Sequence, residues 1–342
     1  MVMGIQMKKM VLLASALAMV SGAAMAADMP LKAVKAPPPA AFDPWDLAFG
    51  SAIMNDYIFR GVTQSNHQAS VAAYFEPRYN VTKDLQLYVG TSAESISFAN
   101  RAAAEVDVYG GIRPTFGAAA FDFGVWGYLY PGGSCADNVV TLFPGGVAVP
   151  GGNVCPDSTT TIFLGDGNVM KKNVSFMEVY GKLNYTINDN WAFGVNEYYS
   201  PNFLNSGAWG DYASITGKYT APSTVFGSSG VGLYVSGEFG RQWLGTTDAF
   251  YGVAAFPSGI KYADYDTWNI GIGFTYKVFT LDLRYSDTDL SKGNCNAFTS
   301  TFNGTGTTNV TPINPTGVGS NWCGTAGIAK LSADLTAMSN LK

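Results

Sequence analysis

The chain has 342 residues, 13% of them charged and 14% aromatic, with 40 glycines, one histidine and a formal net charge of −5. A soluble domain carries about 25% charged residues, and a mildly acidic chain lacks the basic footprint of a nucleic-acid binder. The mixture suits a protein with lipid on one side and water on the other, which needs apolar and aromatic outer positions and glycine where strands pack closely.

Lys8 and Lys9 precede an apolar run from Met10 to Val20, and Ala24-Met25-Ala26 follows with small residues where a signal peptidase reads. Residues 1–26 therefore read as an export signal cleaved between Ala26 and Ala27. The apolar run falls short of the roughly 20 residues a membrane helix needs. Cleavage removes two lysines and no acid, taking the formal charge from −5 to about −7. Residues 27–44 hold Pro37-Pro38-Pro39, Lys32 and Lys35 without periodicity and read as an extended periplasmic tether. A plug folded into a barrel lumen is the alternative for this segment.

Strand patterns follow over Trp45 to Arg60, Val71 to Val81, Leu85 to Ser95, Ala104 to Thr115, Ala119 to Tyr130, Val174 to Ile187, Trp191 to Tyr199, Trp209 to Tyr219, Val231 to Gly240, Thr267 to Lys277, Phe279 to Asp287 and Gly327 to Thr336. The clearest is Phe279 to Ser286, where Phe279, Leu281, Leu283 and Tyr285 alternate with Thr280, Asp282, Arg284 and Ser286. Short joins such as Thr82-Lys83-Asp84, Phe116-Gly117-Ala118, Asn188-Asp189-Asn190 and Val278 alternate with the long segments 61–70, 96–103, 131–173, 200–208, 241–266 and 288–326. Short periplasmic turns alternating with long outer loops mark an outer-membrane barrel with both termini in the periplasm. A soluble sandwich has no reason to sort its loops by length. The expected fold is all-β: a transmembrane antiparallel up-and-down barrel of about twelve strands over residues 45–342.

The pleat assigns faces. Leu85, Leu87 and Val89 point to lipid with Gln86 and Tyr88 inward; Trp268, Ile270, Ile272, Phe274 and Tyr276 point out with Asn269, Thr275 and Lys277 inward. Tyr276 and Tyr285, with Trp191 and Trp268 at opposite ends, suit two aromatic belts. The inward acids are Asp46, Glu76, Glu105, Asp107, Asp122, Glu178, Glu238, Asp282 and Asp334; the inward bases are Arg78, Arg113, Lys182, Lys218, Lys277, Arg284 and Lys330. On the lipid face Arg or Lys would cost about 2–4 kcal/mol each at mid-depth. These residues are therefore expected to line the lumen, with at most a weak cation preference. Asp56 and Arg60 extend the inward face of the first strand to its outer end, either at the mouth of the pore or in ion pairs with neighbouring strands.

Cys135 and Cys155 share one long loop and Cys295 and Cys323 another. In an exported chain they read as two disulfides; pairing within each loop is favoured because it needs no long-range approach. Neither histidine nor a CxxC pair accompanies them, so they do not read as a metal site. Asp264-Tyr265-Asp266 and Asp287-Thr288-Asp289 carry the ligand type of a hard cation, but paired aspartates are ordinary turn chemistry, and no metal or cofactor is assigned. His67 lies in Ser65-Asn66-His67. Triads assemble from distant positions, so it reads as a loop histidine and no catalytic residue is assigned.

Ser51-Ala52-Ile53-Met54-Asn55-Asp56-Tyr57-Ile58-Phe59-Arg60-Gly61-Val62-Thr63-Gln64-Ser65 resembles the opening strand of the TorF-type porins, with its D-Y-x-F-R-G-x-[ST]-Q-S beginning. Weaker echoes are Glu178-Val179-Tyr180-Gly181, Tyr198-Tyr199-Ser200-Pro201-Asn202-Phe203 and Leu283-Arg284-Tyr285-Ser286-Asp287-Thr288-Asp289. The resemblance implies an outer-membrane porin of a Gram-negative cell, put in place by the assembly machinery, and supplies no catalytic residues. Barrels of this kind usually finish on an aromatic, whereas Met338-Ser339-Asn340-Leu341-Lys342 follows the last strand here, which implies a variant assembly signal or a less secure insertion.

The resulting expectation is passive diffusion of small hydrophilic solutes or ions through a narrow, mixed-charge lumen, with segment 131–173 as the constriction. The alternative is a non-conducting barrel serving as an adhesin or structural protein.

Overall fold

The computed structural model describes residues 44–133, 140–142, 147–149, 162–164, 167–168, 170–300 and 304–340. The export signal, its cleavage site at Ala26 and Ala27, nearly all of the tether, Cys135, Cys155 and much of segment 131–173 lie outside the described residues.

Alternation with period two drives twelve strands into one closed antiparallel barrel. They are β1 Trp45–Met54, β2 Ser70–Thr82, β3 Leu85–Glu94, β4 Glu105–Phe116, β5 Ala119–Leu129, β6 Phe176–Thr186, β7 Trp191–Ser200, β8 Gly210–Thr220, β9 Val231–Leu244, β10 Tyr265–Tyr276, β11 Phe279–Thr288 and β12 Ala326–Thr336. Each pairs with its sequence neighbour, and β1 closes the ring against β12 from Ala48↔Thr336 to Met54↔Lys330, so the barrel has no edge to protect. After β12 a short helix, Ala337–Asn340, returns to β1, where the Met338 amide donates to Asp46 Oδ1 at 3.0 Å.

The outer face is apolar along its height. Ile53, Val89, Val108, Val195, Ile215 and Ile270 are all exposed on it. Trp45, Phe116, Tyr185, Trp191 and Tyr276 ring the tight-turn end; Tyr199, Trp209 and Tyr285 ring the loop end. Strands of 10 to 14 residues match or exceed the roughly 9–11 that cross a bilayer at a tilt. The inner face carries tyrosines laid over glycines of the neighbouring strand. A Cβ on Gly273 would fall 2.0 Å from the Tyr234 ring, and one on Gly240 2.2 Å from the Tyr212 hydroxyl.

Two expectations are corrected here. The first strand ends at Met54, because the Asn55 side chain takes over the pairing to β12: it donates to Gly327 O at 2.9 Å and accepts from the Ala329 amide at 2.6 Å. The chain then leaves the wall and turns into the lumen. Lys277 is not inward: it sits exposed in the two-residue turn after β10, with φ +55°.

Ile270→Arg is expected to destabilise the barrel in lipid vesicles by about 2–4 kcal/mol although Ile270 is exposed, because the outer face meets hydrocarbon. Urea unfolding checks this; a change below about 0.5 kcal/mol, as for a solvated surface, would contradict it.

Candidate functional site

The segment that leaves β1 forms a hairpin, Ile58–Phe59 against Val62–Thr63, whose tip is Arg60-Gly61. Both tip residues have positive φ, +48° and +76°, as a tight two-residue hairpin turn requires. The hairpin tip packs against β10 and β11: a Cβ on Gly61 would lie 2.7 Å from Thr267 Oγ1 and 2.9 Å from Thr288 Cβ. Glycine is needed here for space as well as conformation.

Arg60 is the anchor of this insertion. Its guanidinium donates both Nη groups to Glu178 of β6 at 2.8 Å each, and Nη1 also reaches Gln242 of β9 at 3.0 Å. It lies over the rings of Phe59, Tyr198 and Tyr212, 4.4–4.9 Å from their centroids. The Tyr128 hydroxyl donates to the same Glu178 at 3.1 Å. The side chains of Arg60 and Glu178 are 6% and 0% exposed, so water does not share the pair.

The rest of the motif shapes the base of the hairpin. Asp56 accepts from Thr63 Oγ1 at 2.6 Å and Ser65 Oγ at 3.1 Å, and its other oxygen holds His67 Nδ1 at 2.6 Å. His67 Nε2 meets Asn321 O at 2.8 Å. Both neighbours are acceptors, so the ring is best satisfied as imidazolium; the hydrogen bond to Asp56 holds its pKa above the ordinary 6.5. With both nitrogens engaged, none is left to take a proton from Ser65, whose hydroxyl bonds Asp56 and Gln68 O instead.

The sixth long loop clamps the hairpin from outside. Thr63 N donates to Trp322 O at 2.9 Å, Trp322 Nε1 donates to Asn66 Oδ1 at 2.8 Å, and Val62 bridges Cys323. Cys323 is bonded to Cys295, in the helix Lys292–Thr299, as expected from pairing within the loop. Above the hairpin, aromatics meet across the loop end: Tyr128 stacks on Phe176, Phe176 meets Phe203, and Phe203 stacks on Phe298. The cavity left among these groups is about 30 Å³, room for a water or two.

Toward the tight-turn end the wall charges pair along the inner face. Glu76 accepts from Arg78 Nε at 2.6 Å and from Arg113 at 2.8 and 3.2 Å; Arg113 also reaches Asp122 at 3.1 Å. Asp46 lies 3.9 Å from Arg78. Lys182 stands opposite Asp122 in register, with its ammonium over the Tyr180 ring. On the other side Arg284 grips Asp282 at 2.9 and 3.0 Å, Tyr234 donates to Asp282 at 2.7 Å, and Lys330 is its register partner. Glu238 accepts from Tyr212 at 3.0 Å, Asp334 accepts from Ser332 at 3.0 Å, and Lys218 lies over the Tyr234 ring.

Asp56 and Arg60 therefore sit on the inserted hairpin rather than on the wall. The paired aspartates are committed to structure. Asp264 accepts from Lys261 and Leu244 N, Asp266 binds Arg241, Asp287 accepts from Tyr285 and Thr325, and Asp289 accepts from Asp266 N. Glu94, absent from the inward acids named above, faces the lumen side by the same alternation that puts Gln86 and Tyr88 there.

This architecture defines a closed twelve-stranded barrel with a lipid-compatible exterior and a hairpin-filled interior. The profile of a family described as a bacterial protein of unknown function (Gcw_chp) matches residues 39–162, a stretch that holds the whole hairpin motif. No curated protein matches the sequence. Among solved structures, an outer membrane channel from Pseudomonas putida F1 is similar over 88% of this chain and 100% of its own, at 11% identity and a TM-score of 0.41. LpxR from Salmonella typhimurium is similar over 84% and 99%, at 8% identity and a TM-score of 0.36. OmpT, an outer membrane protein of Vibrio cholerae, is similar over 87% and 99%, at 13% identity and a TM-score of 0.33. These likenesses bear on no residue role.

The His67 clamp has a definite pH sign. A folded pKa above 6.5 means its stabilisation is complete below 6.5 and is lost as pH rises through the folded value. Amide protection in residues 56–67, taken relative to the intrinsic base-catalysed exchange rate, is expected to fall on the alkaline side of that value, and His67→Ala to abolish that fall; protection that rises there would contradict it.

Proposed function

We propose that this chain is an outer-membrane porin for small hydrophilic solutes or ions, held shut in the described conformation by its own first loop. In this reading residues 1–26 direct export, residues 27–44 tether the barrel in the periplasm with both termini there, and Cys135 bonds Cys155 within its loop. The paired charges from Glu76 to Asp334 line the passage once the hairpin withdraws.

The observation that carries the reading is the Arg60–Glu178 pair. A buried ion pair is an inefficient way to stabilise a permanent core, because desolvating both charges cancels most of their attraction. It suits a contact that must release into water. A specific observation favours the rival, a non-conducting adhesin or structural barrel: the aromatic contacts from Tyr128 to Phe298 extend across the loop end.

Planar-bilayer conductance separates the two. Removing one partner of such a pair leaves the other charge buried, at a cost of about 3–5 kcal/mol. Arg60→Ala is therefore expected to expel the hairpin and raise open probability at least tenfold over wild type. Reduction of Cys295–Cys323 is expected to act in the same direction. Folded protein that passes no current as wild type, after reduction or as Arg60→Ala would defeat the porin reading and leave the non-conducting barrel.

A further inference from the structure

Three carboxylates meet beneath the second long loop. Glu94 ends β3 and Glu105 begins β4, directly opposite in register; Asp107 lies one inward position further along β4, opposite Ser92. One oxygen from each lies within 4.8 Å of the others. The residues are 4%, 2% and 1% exposed, so bulk water does not screen them.

Their surroundings supply neutral donors only. Tyr57 and Tyr130 donate to the two oxygens of Glu105 at 2.7 and 2.9 Å, and Ser92 donates to Asp107 Oδ2 at 2.9 Å. Among the described residues no lysine, arginine or histidine forms an ion pair with any of the three. The contrast with the rest of the interior is sharp: Glu76 has two arginines, Glu178 has Arg60 and Asp282 has Arg284. Independently, Glu94 Oε2 and Asp107 Oδ1 are enclosed without any hydrogen-bond partner. A buried acceptor left unmade costs about 1–3 kcal/mol and more when charged, and like charges directly opposite on a sheet repel.

We propose that Glu94, Glu105 and Asp107 bind a divalent cation of the calcium type. Oxygens held by one such ion at 2.3–2.6 Å lie at most about 5.2 Å apart, which this triad satisfies. The donor set is all oxygen, as a hard cation requires, and offers none of the nitrogen or sulfur that zinc prefers. Two positive charges against three carboxylates leave one negative charge, shared among the tyrosine and serine hydroxyls. Tyr57 belongs to the segment that enters the hairpin, so the ion would also steady its base. The site stands whether or not the barrel conducts.

Terbium luminescence tests it on full-length chain stripped with chelator and refolded in detergent. Tyr57 and Tyr130, bonded to Glu105, are placed to sensitise a bound terbium ion. Wild type is expected to give saturable emission at one equivalent, displaced by calcium. Glu94→Gln and Asp107→Asn are each expected to weaken binding at least tenfold, while Asp189→Asn, in a turn at the opposite end, leaves it unchanged. If Asp107→Asn fails to fold, calcium is still expected to raise the unfolding temperature of wild type and not of Glu94→Gln. Absence of sensitised emission in wild type, equal emission in Glu94→Gln, or an infrared carbonyl band of protonated carboxylic acid persisting in saturating calcium would each overturn the proposal.

Discussion

The interior of this barrel is organised around one long-range ion pair. Arg60 reaches Glu178 across 118 positions of sequence and is enclosed by aromatic rings. Moving either charge out of water is costly, so the pair persists only while both partners stay in register. That requirement sets the rest of the first loop. Gly61 must lack a side chain to pass Thr267, Asp56 must gather Thr63, Ser65 and His67 to close the hairpin base, and loop six must lie over it to complete the enclosure.

The wall meets a second constraint, that the strands turn a mainly apolar face outward and a polar face, charged on most of them, inward. Twelve strands leave a lumen wider than side chains alone fill in an eight-stranded barrel. Tyrosines lying on glycines thicken the wall, and arginines span between strands to neutralise neighbouring acids. The Asp282 and Arg284 of the most strongly alternating strand bind each other along the wall rather than facing a partner across the lumen. The hairpin therefore fills the interior, while this pair stays on the wall.

Much of this was legible in the sequence. Period-two alternation located the strands because a one-residue slip would turn every lipid-facing side chain inward, and loop length separated the two ends. The inward charges from Glu76 to Asp334 follow from parity alone, as does Glu94. The hairpin was not legible. Asp56, Ile58 and Arg60 continue the alternation of β1, and an extended chain entering a lumen has the same pattern as one extending a wall. Only the Asn55 side chain bonding β12, a contact 272 positions away, distinguishes them. Lys277 was misplaced for a related reason: no Gly or Asn marks its two-residue turn. The carboxylate triad was hidden because its meaning lies in the absence of basic neighbours, which only packing reveals.

The measurement that bears most directly on the inserted hairpin is a double-mutant cycle between Arg60→Ala and Glu178→Gln, read by urea unfolding in lipid vesicles. Coupling of about 2 kcal/mol or more is predicted, well above the roughly 0–1 kcal/mol of an exposed pair. Coupling within about 0.5 kcal/mol of zero, the additivity expected of sites that do not touch, would mean that Arg60 does not reside on Glu178 and that the interior is not closed in this way.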